Sequence, residues 1–149
     1  MSFSKPEFIL ASETLDLRHR ILRPMQDISV CHYEEDNLSS TFHLGIRDVT
    51  GKICANGTFI QQSHLLFPKA IRPYRLRGMA TDTVAQKQGH GKAILLSALD
   101  ILRNKKCDLL WFNARTSAEV FYQKLTFEAD PTIFDIPTVG PHKVMYKWL

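Results

Sequence analysis

Between Tyr74 and Arg103 a strand, a two-glycine turn and a long apolar helix follow in direct succession, and this order narrows the accessible folds sharply. The turn reads Gln86-Lys87-Gln88-Gly89-His90-Gly91-Lys92-Ala93. It runs into a helix whose Ile94, Leu95, Ala98, Leu99, Ile101 and Leu102 recur at helical spacing. Backbone N–H groups at a helix start lack intrahelical partners and lie at the positive end of the dipole. Glycines at 89 and 91 let that backbone approach an oxyanion closely, and Lys87 and Lys92 add positive charge. The same turn would also serve simply to cap a helix. Upstream, Tyr74–Thr81 sets Leu76 between Arg75 and Arg77, the period of a half-buried strand. Downstream, Leu109-Leu110-Trp111-Phe112 is an apolar run of strand length. A strand–helix–strand crossover of this kind implies a parallel pair with the helix on one face.

The flanks add further elements. Thr116-Ser117-Ala118-Glu119 matches a capping box, with Thr116 as N-cap and Glu119 at N3. Ala118, Phe121, Tyr122 and Leu125 then give a short amphipathic helix ended by Thr126-Phe127. Near the N-terminus, Ser12–Arg23 reads as one helix halted by Pro24, with Leu15, Leu22 and either Arg18 or His19 on one face. Met25–Ser40 is polar and irregular. Thr41–Arg47 and Ile53–Ile60 form a hairpin through Asp48, Thr50 and Gly51, and Gln61–Ala70 is a connecting loop. The segment from Thr132, with Pro137, Gly140 and Pro141, reads as a loop before a last strand, Lys143–Trp148.

The run Gln-x-x-Gly-x-Gly, here Gln86, Gly89 and Gly91, followed by Phe121, Tyr122, Leu125 and Phe127, resembles the GNAT superfamily of acyl-CoA-dependent N-acyltransferases. The match is firm over Tyr74–Phe127 and looser in the N-terminal half. Thr126 stands where the family usually has glycine. The resemblance implies a mixed α/β (α+β) fold in a single domain over residues 1–149. That fold has an N-terminal helix, antiparallel strands, and then strand–phosphate loop–helix–strand–helix with splayed parallel strands. It implies acetyl-CoA as acyl donor, with the diphosphate on backbone N–H groups from Gln88 to Ala93. It also implies that the pantetheine arm pairs with backbone at Met79, Ala80 and Thr81, where ordinary sheet pairing is the other reading. The donor-binding set is then Met79, Ala80, Thr81, Gln86, Lys87, Gln88, Gly89, His90, Gly91, Lys92 and Asn113. Asn113 either bonds the arm or serves a turn or cap.

By the same resemblance, Tyr122 protonates the departing thiolate after an amine attacks the thioester; otherwise it is an aromatic at the core's rim. A general base is harder to name, because the strand before the loop carries no acid. Glu34, Glu35, His43 and His64 are candidates by type, while His90 is expected to face solvent or phosphate. Cys31 and His32, adjacent on an extended chain, would point apart. Arg72, Arg75 and Arg77 lean toward an acceptor bearing a carboxylate or phosphate.

Composition sets the remaining bounds. The chain has 149 residues, 44% hydrophobic and 23% charged, as expected of a soluble domain with a substantial core. Three cysteines without CxxC spacing favour reduced thiols, a cytoplasmic location and packing roles rather than a metal site. The +4 charge is dispersed, so nucleic-acid binding is not expected, and no apolar run reaches membrane-spanning length. A small-molecule or peptide amine is the expected partner, and a homodimer is compatible with the sequence. A second hypothesis is a non-catalytic acyl-CoA sensor, favoured by the missing acid and by Thr126. A third, a generic nucleotide binder, lacks the Lys-Ser/Thr ending of a P-loop.

Overall fold

The computed structural model describes residues 3–149. One mixed sheet runs through them in the order β1-β2-β3-β4-β5-β8-β6, with β7 paired to β8. The strands are β1 (Glu7–Phe8), β2 (Phe42–Arg47), β3 (Ile53–Gln61), β4 (Pro73–Thr81), β5 (Leu109–Arg115), β6 (Glu128–Ala129), β7 (Phe134–Ile136) and β8 (Gly140–Trp148). Every pairing is antiparallel except β4 with β5, the pair joined through the crossover helix α2 (His90–Asn104). The mixed α/β fold read from the sequence is therefore the one observed.

The two faces of the sheet are filled differently. Against one lies α2, whose Ile94, Leu95, Ala98, Leu99 and Leu102 are buried with Phe42, Phe59, Leu76, Leu110 and Phe112. The other carries a smaller cluster of Phe67, Leu109, Trp111 and Val144. Because side chains alternate along a strand, Tyr74 and Leu76 face α2, whereas Arg75 and Arg77 face away from it.

Several local readings are corrected. Ser12–Arg23 is not one regular helix. The segment α1 is built of a 3-10 turn (Ala11–Thr14), an α turn (Leu15–Leu17) and a π turn (Arg18–Leu22). Its buried residues are Thr14, Leu17 and Arg18 rather than Leu15 and Leu22. Within Met25–Ser40 the chain forms two 3-10 turns, Ile28–Cys31 and Glu34–Asn37. The capping box at Thr116 does not form: Thr116–Ala118 is a 3-10 turn, and α3 (Glu119–Lys124) starts after it with no side-chain cap. The Glu119 carboxylate instead accepts from Lys143 Nζ at 2.9 Å and Gln123 Nε2 at 2.9 Å. The presumed loop from Thr132 contains β7, which folds back on β8 in a hairpin.

Two irregularities shape the centre of the sheet. Between β3 and β4 the register passes from Asn56 opposite Ala80 to Thr58 opposite Arg77, so Gly57 faces both Gly78 and Met79. At this bulge Gly78 has φ +64°, and a β-carbon there would lie 3.0 Å from Arg18 Nε and 3.2 Å from the Tyr33 hydroxyl. Glycine thus permits both the turn and the close approach of those side chains. The second irregularity is that the parallel pairing stops early. It includes only Pro73, Tyr74 and Arg75 against Leu109, Leu110 and Trp111, after which β4 and β5 diverge.

Candidate active site

The divergence opens a cavity of about 500 Å³, lined by Arg75, Arg77 and Met79 of β4, Asn113 and Arg115 of β5, and Tyr122 of α3. Ile136, Val139 and His142 of the β7–β8 hairpin and Tyr33 also line it. From Gly78 onward β4 pairs with β3 on one edge, while Asn113–Arg115 pair with β8. The edges that β4 and β5 turn toward each other have no strand partner among the described residues, so their main-chain groups are available to an extended ligand.

The glycine turn lies at the open end of this splay. Thr81 leads into Asp82 and a 3-10 turn (Thr83–Ala85), and Gln86 Nε2 donates to the Thr81 carbonyl at 3.2 Å, tying the loop to β4. Gly89 is the N-cap of α2 with φ +83°, and no atom lies within 4 Å of where its β-carbon would be. The first intrahelical bond runs from Ala93 N–H to the Gly89 carbonyl at 3.0 Å. Ala93 therefore drops out of the expected donor set, and His90, Gly91 and Lys92 remain as N–H groups ahead of the helical ladder. Gly91 faces α3, where a β-carbon would touch the Phe121 ring at 3.4 Å.

The His90 side chain overturns its expectation. It is buried rather than turned to solvent, its ring 4.4 Å from that of Phe3 and edge-on to it, and its Nε2 has no partner. Packing against the N-terminal segment wins over solvation, and the residue keeps only its backbone N–H for a ligand.

Tyr122 lies half-buried against Phe112, ring centroids 4.4 Å apart, and its hydroxyl bonds to no group among the described residues. Burial pushes the phenol up to about 12, so the group keeps its proton at neutral pH and is poised to donate it.

The four candidate bases do not converge on the cavity. Both ring nitrogens of His43 are occupied, Nδ1 by Thr58 Oγ1 at 2.8 Å and Nε2 by the Asp36 carbonyl at 2.9 Å. His64 stands edge-on to Trp111 at 4.6 Å, its Nδ1 accepting from Leu66 N–H. Burial and the Arg75 charge lower its affinity for a proton. Glu34 is exposed, and Glu35 lies 3.9 Å from Arg77. Arg72 is also elsewhere, donating to the Lys105 carbonyl beyond the paired end of β4. The three cysteines are buried and unpaired, as packing residues would be.

His142, absent from the sequence-derived set, does line the cavity. It is buried, and its Nδ1–H donates to the Gly140 carbonyl at 2.7 Å. In the neutral ring this leaves Nε2 as the lone-pair nitrogen. No local pattern marks the residue: only the antiparallel register, with His142 opposite Arg115, brings it to the cavity.

The wall opposite β5 hangs on a buried ion pair. Arg18 donates from Nη1 and Nη2 to Asp36 at 2.8 and 2.9 Å, and also to the Cys31 carbonyl and Thr58 Oγ1. Tyr33 lies between two guanidinium groups, Arg18 and Arg77, each 3.8 Å from its ring centroid.

No family model matches the chain. A sequence relative from Bacillus subtilis (strain 168), the uncharacterised N-acetyltransferase YitI, is 39% identical over 141 residues, covering 95% of this chain and 93% of its own. Among solved structures, an acyl-CoA N-acyltransferase from Pseudomonas aeruginosa aligns with TM-score 0.72 at 16% identity, over 98% of this chain and 99% of its own. Glucosamine-6-phosphate N-acetyltransferase from Arabidopsis thaliana aligns with TM-score 0.72 at 15% identity, over 93% and 99%. With the splayed parallel pair, the glycine turn and the Phe-Tyr helix already in place, the sequence relative decides the assignment: the chain belongs to the GNAT superfamily of N-acetyltransferases, acyl-transferring enzymes.

Proposed function

We propose that the chain transfers an acetyl group from acetyl-CoA to the amine of a small-molecule or peptide acceptor. In this reading Tyr122 gives its proton to the departing sulfur and His142 takes one from the attacking amine. The donor supplies a thioester already activated toward amines, so the protein's task is positioning and proton handling. The open edges of β4 and β5, including Met79, Ala80, Thr81 and Asn113, would take the extended arm. The N–H groups from Gln88 to Lys92, with the Lys87 and Lys92 ammoniums, would take the diphosphate.

One observation carries the proton assignments: a phenol held protonated and an imidazole with its tautomer fixed line the same cavity at the splay. The atoms balance. The new C–N bond forms as the C–S bond breaks, the amine proton goes to His142 Nε2, and the phenolic proton goes to sulfur before solvent restores both groups.

Release of free thiol from acetyl-CoA across an amine panel is the direct test. Tyr122→Phe is expected to lower kcat by about 10²- to 10⁴-fold, the usual span for a general acid, with coenzyme A affinity by calorimetry nearly unchanged. Full activity in Tyr122→Phe would remove that role.

A further inference from the structure

We infer that the cavity selects a small amine that also carries an oxyanion, a carboxylate or phosphate, and that Arg75 together with Arg77 receives it. The inference rests on the acetyl-transfer reading above and deepens it by naming the acceptor class. Four arginines line the cavity, at 23, 75, 77 and 115, and no aspartate or glutamate does. Two of them have protein partners: Arg23 donates to the Leu22 carbonyl, and Arg77 stacks on Tyr33 with Glu35 at 3.9 Å. Arg75 is different. Its guanidinium makes no hydrogen bond or ion pair among the described residues, and its Nε is fully buried. It rests over the Trp111 ring at 5.0 Å, and that ring is held by a 2.9 Å bond from Nε1 to the Gln62 carbonyl.

A half-buried guanidinium whose Nε is shut off from water and which has no counter-charge is costly to keep, and something is expected to complete it. The titratable groups around Arg75 do not. Arg77 repels it, His64 is uncharged near neutrality, Tyr33 is a phenol, and Glu35 is nearer Arg77. Burial, with Arg77 adding to it, pulls the Arg75 guanidinium down to about 10. The diphosphate of the acyl donor is the wrong partner. Arg75 sits at the closed end of the splay and the glycine turn follows Thr81, about 20 Å of strand away. An anion on the acceptor would meet the guanidinium's fixed fork of donors and leave the amine near Tyr122 and His142. The same positive surplus would repel polyamines and basic peptides.

Matched acceptors test this: an α-amino acid against its carboxamide, and O-phosphoethanolamine against ethanolamine, each followed by thiol release. The anionic member of at least one pair is expected to have the higher kcat/KM by on the order of 10- to 100-fold, as one charged hydrogen-bond partner allows, and the favoured pair distinguishes carboxylate from phosphate. Arg75→Met should erase that ratio, mainly through KM, and Arg75→Lys should restore part of it. Without ligand, Arg75→Met should melt no lower than the parent, since it removes an uncompensated charge; a merely structural arginine would give the opposite. Inorganic phosphate should raise the melting temperature of the parent and not of Arg75→Met. Neutral amines used equally well, or a ratio that survives Arg75→Met, would overturn the inference while saturable coenzyme A binding keeps the acetyl-transfer reading. If coenzyme A fails to bind, that reading falls and the phosphate arm decides: equal shifts in parent and variant sink the oxyanion pocket too.

Discussion

Thr126 shows how one residue can depart from its superfamily and still hold the expected geometry. It takes φ +69° at the end of α3, in the left-handed region that side chains with a branched β-carbon avoid. Glycine, the usual residue at this place in the family, meets no such penalty. Here the turn is held by side-chain bonds instead: Thr126 Oγ1 donates to the Leu125 carbonyl and accepts from Lys147 Nζ of β8. The left-handed conformation costs a non-glycine residue about 1–2 kcal/mol, while glycine loses roughly 0.5–1 kcal/mol in backbone entropy and here also forfeits an exposed bond. The balance favours Thr126→Gly, which is expected to raise stability by up to about 1 kcal/mol. Denaturant unfolding at matched slope would measure it, and a loss of stability would show that the Lys147 bond outweighs the strain.

Among the elements, those with a strong period and local partners were legible in the sequence. Strands β2, β3, β4 and β5 and helix α2 appear within a few residues of their expected limits, because alternation or helical spacing decides which face each buries. What could not be read there depends on partners far along the chain. Arg18 lies inside because Asp36 and Thr58 receive it, and that demand, invisible in the local pattern, accompanies the break of α1 into three kinds of turn. Strand β7 has three residues and is defined only by pairing with β8, the same pairing that delivers His142. Of the site, the glycine turn and Tyr122 were visible as motif, whereas His142 and the isolation of Arg75 are products of register. The turn also carries an element-scale prediction. Gly89 caps α2 at φ +83° in open space, so Gly89→Val places a branched side chain in a strained conformation exactly where bare N–H groups are needed. Coenzyme A affinity should fall more than tenfold while circular dichroism shows a folded chain; unchanged affinity by calorimetry would move the diphosphate elsewhere.

At the scale of the whole molecule, the Arg18–Asp36 pair joins parts that the sheet alone leaves loose. Through Arg18 it ties α1 to the 3-10 turns at Ile28–Cys31 and Glu34–Asn37 and to Thr58 on β3, and through Tyr33 it reaches the Gly78 bulge of β4 and Arg77 at the cavity. Desolvation opposes the ionised form of Asp36. The bonds from Arg18 and from Tyr33 N–H outweigh it and hold the carboxyl below its ordinary value. A carboxylate with a depressed folded pKa contributes stability that is complete above its unfolded value, near pH 4, and fades as pH falls through the folded one. Asp82 and Asp16, both bonded to Arg20, are shifted the same way and add to the same acid limb. The chain should therefore lose a little stability as pH falls below about 6.5, where unfolded His64 takes a proton ahead of the folded one, and lose it steeply below about pH 4. Asp36→Asn isolates the central pair. It leaves Arg18 buried without its counter-charge, a change that typically costs about 3–5 kcal/mol, and it removes one proton-linked step. The expected result is a lower melting temperature at pH 7 and a shallower decline between pH 4 and pH 2 than the parent shows. Parallel declines would mean that acid unfolding is governed by the surface carboxylates, and that the cavity wall is anchored by its packing rather than by this ion pair.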